Sequence, residues 1–173
     1  LIGFISSVEP QAQETMQMQV KRITVIGTGT MGNGIAGQAA ISGFDVVLYD
    51  IDPSRTDAAI AAIEKTYAKG LSREKVTAAQ VDSARARLEK TSDLSTAVSQ
   101  SDLVIEAVPE RMSLKQDLFR EIETHAPSTA ILGTNTSSLS ITEIASVLSQ
   151  PGRMVGMHFF NTVAVMPLVE LVK

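Results

Sequence analysis

The sequence contains no cysteine, so neither a disulfide scaffold nor thiol chemistry is open to it. Only two histidines occur, which excludes a His-rich metal site, and no metal is expected. No apolar run approaches the ~20 residues needed to span a bilayer, so a membrane is not an expected partner. Basic residues do not prevail either. Fifteen Lys and Arg stand against 19 Asp and Glu, a formal charge of −4, which disfavours nucleic acid as a general partner. There is no internal repeat and no low-complexity block. What is present is ordinary globular material: 173 residues, 44% hydrophobic and 20% charged. That is enough for one domain with a core and tight for two.

The ends read as those of a piece of something longer, with a cytoplasmic location expected. The chain opens Leu1-Ile2-Gly3-Phe4-Ile5, without Met. That run is too short for the apolar part of a signal peptide, and no basic residue precedes it. Residues 1–20 carry Glu9 and Glu14 but no Lys or Arg, unlike a mitochondrial transit peptide, and are expected to be a linker or a loose helix. The other end, Leu168 to Lys173, stops inside an expected strand.

Between these ends, strand and helix alternate. Ile23–Ile26 is a β-branched run stopped by Gly27. Met31 to Ser42 reads as a helix with Gly43 as its stop. Asp45–Tyr49 is a second strand, and Asp52-Pro53 opens a helix whose face holds Ile60, Ile63 and Tyr67. Leu103–Ile105 and Ala130–Leu132 are further strands, separated by a helix marked by Leu114, Leu118 and Ile122. Ser140 and Glu143 form a capping-box pattern, and Met154–Phe160 and Leu168–Val172 complete the strands. The expected fold is α/β: a doubly wound, mainly parallel sheet of the Rossmann kind. Residues 65–90 break the rhythm: they read as a helical hairpin insertion, with no strand between them and the helix before. They hold Lys65, Lys69, Arg73, Lys75, Arg85, Arg87 and Lys90 against Glu74, Asp82 and Glu89. The hairpin is either a solvated face or a basic arm for a phosphate-bearing ligand.

Gly27, Gly29 and Gly32 spell G-T-G-T-M-G after a strand and at the opening of a helix. In that setting the first glycine allows the tight turn, the second lets a pyrophosphate approach the backbone, and the third lets helix and strand pack closely. The helix N-terminus offers free N–H groups to phosphates, so Thr30 and Met31 belong to the expected cofactor site. Asp50 ends the second strand 18 residues after Gly32. A carboxylate there accepts ribose hydroxyls and repels a 2′-phosphate, which points to NAD rather than NADP.

His125 sits in a polar stretch and is expected at a surface helix end. His158 ends a strand, where ligands gather in open α/β sheets. Glu170 stands among Leu168, Val169, Leu171 and Val172, where a carboxylate needs a partner. Imidazole is the side chain whose ordinary pKa lies near neutrality, and a carboxylate on one ring nitrogen leaves the other free to act as a general base. A capped strand-end His beside an exposed edge-strand Glu remains an equal reading of the spacing alone.

Taken together, Gly27–Gly32, Asp50, Ile105–Glu110, Asn135–Leu139, Gly156–Asn161 and Met166–Val172 resemble the NAD-binding domain of 3-hydroxyacyl-CoA dehydrogenases, over about Lys21 to Lys173. The resemblance implies NAD-dependent oxidation of (3S)-3-hydroxyacyl-CoA to 3-ketoacyl-CoA, in fatty-acid β-oxidation or related acyl-CoA metabolism. It implies His158 as the base, Glu170 as its orienting partner, and Ser137 as the group that holds the substrate 3-oxygen beside His158 and also borders the cofactor. Asn161 would line the site, and Glu110 and Lys115 match positions near the nicotinamide half of the cofactor. The 65–90 hairpin matches the family's helical arm toward the CoA moiety. The partners implied are an acyl-CoA substrate and, for the parent protein, a second copy joined through a C-terminal helical domain that these 173 residues do not include. This sequence has Thr162 where the family usually has Pro after Asn. Two alternatives stay open. One is a β-hydroxyacid dehydrogenase acting on a free acid, against which the His158/Glu170 pair argues. The other is a non-catalytic NAD-binding relative.

Overall fold

The computed structural model describes residues 19–173 apart from 165 and 167. The expected linker or loose helix over 1–20 therefore lies almost wholly outside the described residues. Seven strands form one sheet: β1 (Arg22–Ile26), β2 (Asp45–Tyr49), β3 (Leu88–Thr91), β4 (Leu103–Glu106), β5 (Ile131–Thr134), β6 (Met154–Phe159) and β7 (Val169–Val172). Their spatial order is β3-β2-β1-β4-β5-β6-β7, parallel throughout except for β7, which runs antiparallel to β6. The helices between them are α1 (Thr30–Ile41), α2 (Pro53–Ser72), α3 (Ala78–Arg85), α4 (Leu94–Val98), α5 (Met112–His125) and α6 (Ile141–Ala145).

The period of two along the strands divides the core into two layers. Ile23 and Val25 of β1 and Val46 and Leu48 of β2 face a cluster with Ile35, Ile63 and Tyr67 from α1 and α2. Ile26 and Val47 face the opposite cluster with Phe119, Ile122 and Ile144 from α5 and α6. Helices on both faces explain why the central strands are buried along nearly their whole length. Local signals set the helix ends. Asp52 caps α2 by accepting the Ser54 N–H at 2.9 Å, with Pro53 in the first turn. Gly43 follows α1 with φ +99°, a left-handed conformation that glycine adopts without strain.

One expectation needs correction. The 65–90 stretch does contain the helix pair α2–α3, but it ends in a strand, β3, which pairs with β2. This Leu-Glu-Lys-Thr segment has one apolar residue in four, because it is an edge strand defended by charge. Glu89 pairs with Arg22 at 2.6 Å, and Lys90 pairs with Asp57. The positive balance of the stretch is also smaller in space than in sequence, because its acids lie elsewhere in the chain. Arg85 binds Glu64, and Arg87 binds Asp45. Lys65, Lys69, Arg73 and Lys75 are exposed and form no ion pair among the described residues. The helix marked by Leu114, Leu118 and Ile122 is present as α5. Its inward face is Lys115, Phe119 and Ile122, whereas Leu114 and Leu118 are only half-buried and line a cleft.

Candidate active site

The chain leaves β1 toward β2 and β3 on one side of the sheet, then returns to β4 on the other. The crevice at the carboxyl ends of β1 and β4 is the switch point where α/β sheets bind ligands. A cleft of about 1080 Å³ opens there. Gly27, Gly29, Thr30, Met31 and Asp50 line one part of it. Glu110, Lys115, Ser137, His158 and Asn161 line the other. Gly32 lies under the turn and Glu170 behind His158, so neither is on the cleft wall. His125 lies in the last turn of α5 and is exposed, as expected.

The three glycines have sterically separate roles. Gly27 has φ +86°, and a Cβ on it would stand 2.9 Å from the Ala107 carbonyl oxygen. A Cβ on Gly32 would lie 1.8 Å from the Gly27 oxygen, so only glycine lets α1 start this close to the turn. A Cβ on Gly29 would meet no protein atom within 4 Å. It would point into open space, the room a pyrophosphate needs. Gly29 is also the N-cap of α1 and gives its first N–H groups no side-chain partner. This cradle fits a dinucleotide.

Asp50 is buried at the end of β2. Its Oδ2 accepts the Thr28 N–H at 3.0 Å and the Thr28 hydroxyl at 2.9 Å. Tyr49 lines the same end, where burial and then the Glu121, Asp50 and Asp93 carboxylates push its phenol up.

At the other end a buried network joins the loops after β4 and β5. Glu106 and Lys115 are each almost fully enclosed, with the ammonium 2.6 Å from Glu106 Oε1. Glu106 Oε1 also accepts the Val108 N–H, and Oε2 accepts the Thr134 hydroxyl, each at 2.6 Å. Lys115 reaches Glu110 at 3.3 Å, and Glu110 in turn accepts the Ser137 N–H at 3.0 Å. Burial pushes the Glu110 carboxyl up, but the Ser137 N–H, Lys115 and Thr136 outweigh it and hold it below its ordinary value. Lys115, expected beside the cofactor, thus spends its charge on Glu106 and Glu110 within the wall of the cleft.

His158 and Glu170 are directly opposed in the β6–β7 ladder, and Nδ1 lies 3.3 Å from Glu170 Oε2. They lie twelve positions apart in the chain, and the antiparallel register brings them together. Nε2 makes no hydrogen bond among the described residues. Phe160 leans on the imidazole with ring centroids 4.6 Å apart. Asn135 accepts the Phe159 N–H at 2.9 Å and so ties the end of β5 to the strand that carries His158. Reading residue types along the chain did not assign Thr28, Glu106 or Asn135 a site role. The available signal was a polar residue at the carboxyl end of a strand or inside the glycine turn.

Residues 22–173 match the sequence model for "3-hydroxyacyl-CoA dehydrogenase, NAD binding domain". The chain is 42% identical over 156 residues to a probable 3-hydroxybutyryl-CoA dehydrogenase of Bacillus subtilis, covering 90% of this chain and 54% of that protein. It is 43% identical over 157 residues to 3-hydroxyadipyl-CoA dehydrogenase of Escherichia coli, covering 91% of this chain and 33% of that one. A crystal structure of 3-hydroxybutyryl-CoA dehydrogenase from Escherichia coli superposes with a TM-score of 0.87 at 42% identity, over 90% of this chain and 33% of that chain. The chain therefore spans about half, or a third, of the length of these relatives. A glycine cradle, a strand-end aspartate and a sheet that superposes on these dehydrogenases all lead to one conclusion: the chain belongs to the 3-hydroxyacyl-CoA dehydrogenase family, as its NAD-binding domain, with NAD as cofactor.

Proposed function

We propose that this chain is the cofactor-binding part of an enzyme that oxidises (3S)-3-hydroxyacyl-CoA to 3-ketoacyl-CoA, in fatty-acid β-oxidation or related acyl-CoA metabolism. The observation that carries the proposal is the opposed His158–Glu170 pair, set on the cleft that also holds the glycine cradle. NAD supplies the hydride acceptor. His158 takes the hydroxyl proton at Nε2 as the alcohol becomes a ketone. Glu170 holds Nδ1–H, fixes the tautomer and stabilises the imidazolium that forms. Ser137 binds the 3-oxygen beside His158, and the Glu110 carboxylate keeps its backbone in place. Gly27, Gly29, Thr30, Met31 and Asp50 hold the adenosine and pyrophosphate. Lys115, Ser137 and Asn161 bound the nicotinamide end.

Met166, Leu168, Val169, Leu171 and Val172 expose apolar surface around β7. Together with the greater length of the relatives, this supports a helical domain outside these 173 residues that covers β7, walls the acyl-CoA site and joins two copies. A cytoplasmic location goes with this reading. The test is acetoacetyl-CoA reduction by NADH in the full-length protein that carries this sequence. His158→Gln is expected to lower kcat by about 10²–10⁴ while NADH affinity stays within about twofold. Full turnover in that variant would refute the mechanism.

A further inference from the structure

We propose that Thr28 is a specificity-determining residue for the cofactor. Its hydroxyl locks the Asp50 carboxylate in the position that accepts a free ribose 2′-hydroxyl and rejects a 2′-phosphate. This rests on the reading of Asp50 as the ribose acceptor. Thr28 sits between Gly27 and Gly29 and is buried, as is Asp50. Any residue at position 28 would supply the N–H that reaches Asp50 Oδ2. The Thr28 hydroxyl supplies a second donor, at 2.9 Å from the same oxygen. Two donors converging on Oδ2 from different directions fix the carboxylate plane, where one would leave it free to rotate. Oδ1 keeps a single long bond, 3.3 Å from the Asp52 N–H, and has lone pairs to spare for a ribose hydroxyl.

The lock matters because a cation lines the same cleft. Arg55, in the first turn of α2, lines the same cleft as Asp50 and Asp52. A guanidinium is the group that recognises a 2′-phosphate. With Asp50 held in place, its negative charge stands where that phosphate would enter. With Asp50 free to turn aside, Arg55 can take the phosphate. Thr28 therefore sets the choice between two dinucleotides without touching either at the 2′ position.

The experiment is a titration of the full-length protein that carries this sequence with NADH, NADPH and reduced nicotinamide mononucleotide, followed by nicotinamide fluorescence. The variants are Thr28→Val, Thr28→Ser, Asp50→Ala and Thr28→Val with Arg55→Ala. In Thr28→Val the NADPH-to-NADH ratio of Kd values is expected to fall about tenfold, the loss of one hydrogen bond to a charged group. Thr28→Ser keeps the ratio of the parent, and adding Arg55→Ala removes the gain in NADPH affinity. The mononucleotide, which lacks the adenosine, binds all of them alike. Thr28→Ala gives the same readout should Thr28→Val fail to fold. An unchanged ratio in Thr28→Val beside a collapsed ratio in Asp50→Ala overturns the inference and leaves the Asp50 reading standing. An unchanged ratio in Asp50→Ala overturns both.

Discussion

The buried pair of Glu106 and Lys115 shows how much one residue can hold. Neither charge reaches water, and each has further polar partners that satisfy it. Pairs of this kind add little over an apolar replacement, but breaking one leaves a charge stranded. Lys115→Met is therefore expected to cost about 3–5 kcal/mol in urea unfolding, and the added change Glu106→Gln to recover part of it. A loss under 1 kcal/mol would show that water reaches Glu106. His158 and Glu170 differ, because the Glu170 carboxylate is mostly exposed. Glu170→Gln should scarcely change stability yet lower kcat in the full-length protein by about tenfold or more, since the proposed mechanism uses that charge to steady the imidazolium. Equal kcat values would remove Glu170 from the mechanism. Sequence pattern could point to His158 because it ends a strand, where ligands gather, and to Glu170 because a carboxylate is out of place in an apolar strand. It could not show that Lys115 faces inward, because a lysine on a helix is ordinarily assigned to the wet face, and only the position of Glu106 across the β4–α5 turn reverses that assignment.

Among the elements, the β1–α1 turn was the most legible, since its glycines answer to backbone geometry that recurs wherever this turn is built. They also separate fold from function. Gly29→Ala adds a methyl group into open space at φ −63°, where alanine is at ease. Its thermal midpoint should stay near that of the parent while NADH affinity falls at least about tenfold, because the methyl group occupies the pyrophosphate's room. Gly32→Ala drives a Cβ into the Gly27 carbonyl and should lower the thermal midpoint itself. If both variants lost stability alike, the open space at Gly29 would not be a ligand cradle. β3 was illegible for the converse reason. An edge strand carries charge outward on purpose, so Leu88–Thr91 has no apolar period, and only its parallel pairing with β2 makes it a strand.

At the scale of the whole molecule, several carboxylates are held below their ordinary values by the fold. The Arg22 and then the Lys21 N–H lower Asp102 where it closes the start of β1, and Glu110 is lowered where it ties two loops together. The unfolded chain binds protons at these groups more readily than the folded one. Their stabilisation is thus complete above the ordinary range of 3.8–4.5 and is lost as pH falls through the depressed folded values. The thermal midpoint is expected to fall steeply below about pH 4, and Asp102→Asn to flatten that fall. A midpoint independent of pH between 5 and about 3 would contradict this assignment. The doubly wound order of the sheet follows from strand–helix alternation, whereas the antiparallel turn of β7 does not, since strand composition carries no direction. That reversal is what sets Glu170 against His158. The central claim, one cleft holding NAD from Asp50 at one end to His158 at the other, is tested most directly by titrating the ¹⁵N-labelled chain with NAD and following its amide resonances. The expected result is a single continuous set of shifts through Thr28 to Met31, Asp50, Glu110, Ser137 and the His158–Asn161 segment. Shifts confined to other surfaces, or a perturbed glycine turn beside an untouched His158 segment, would contradict it.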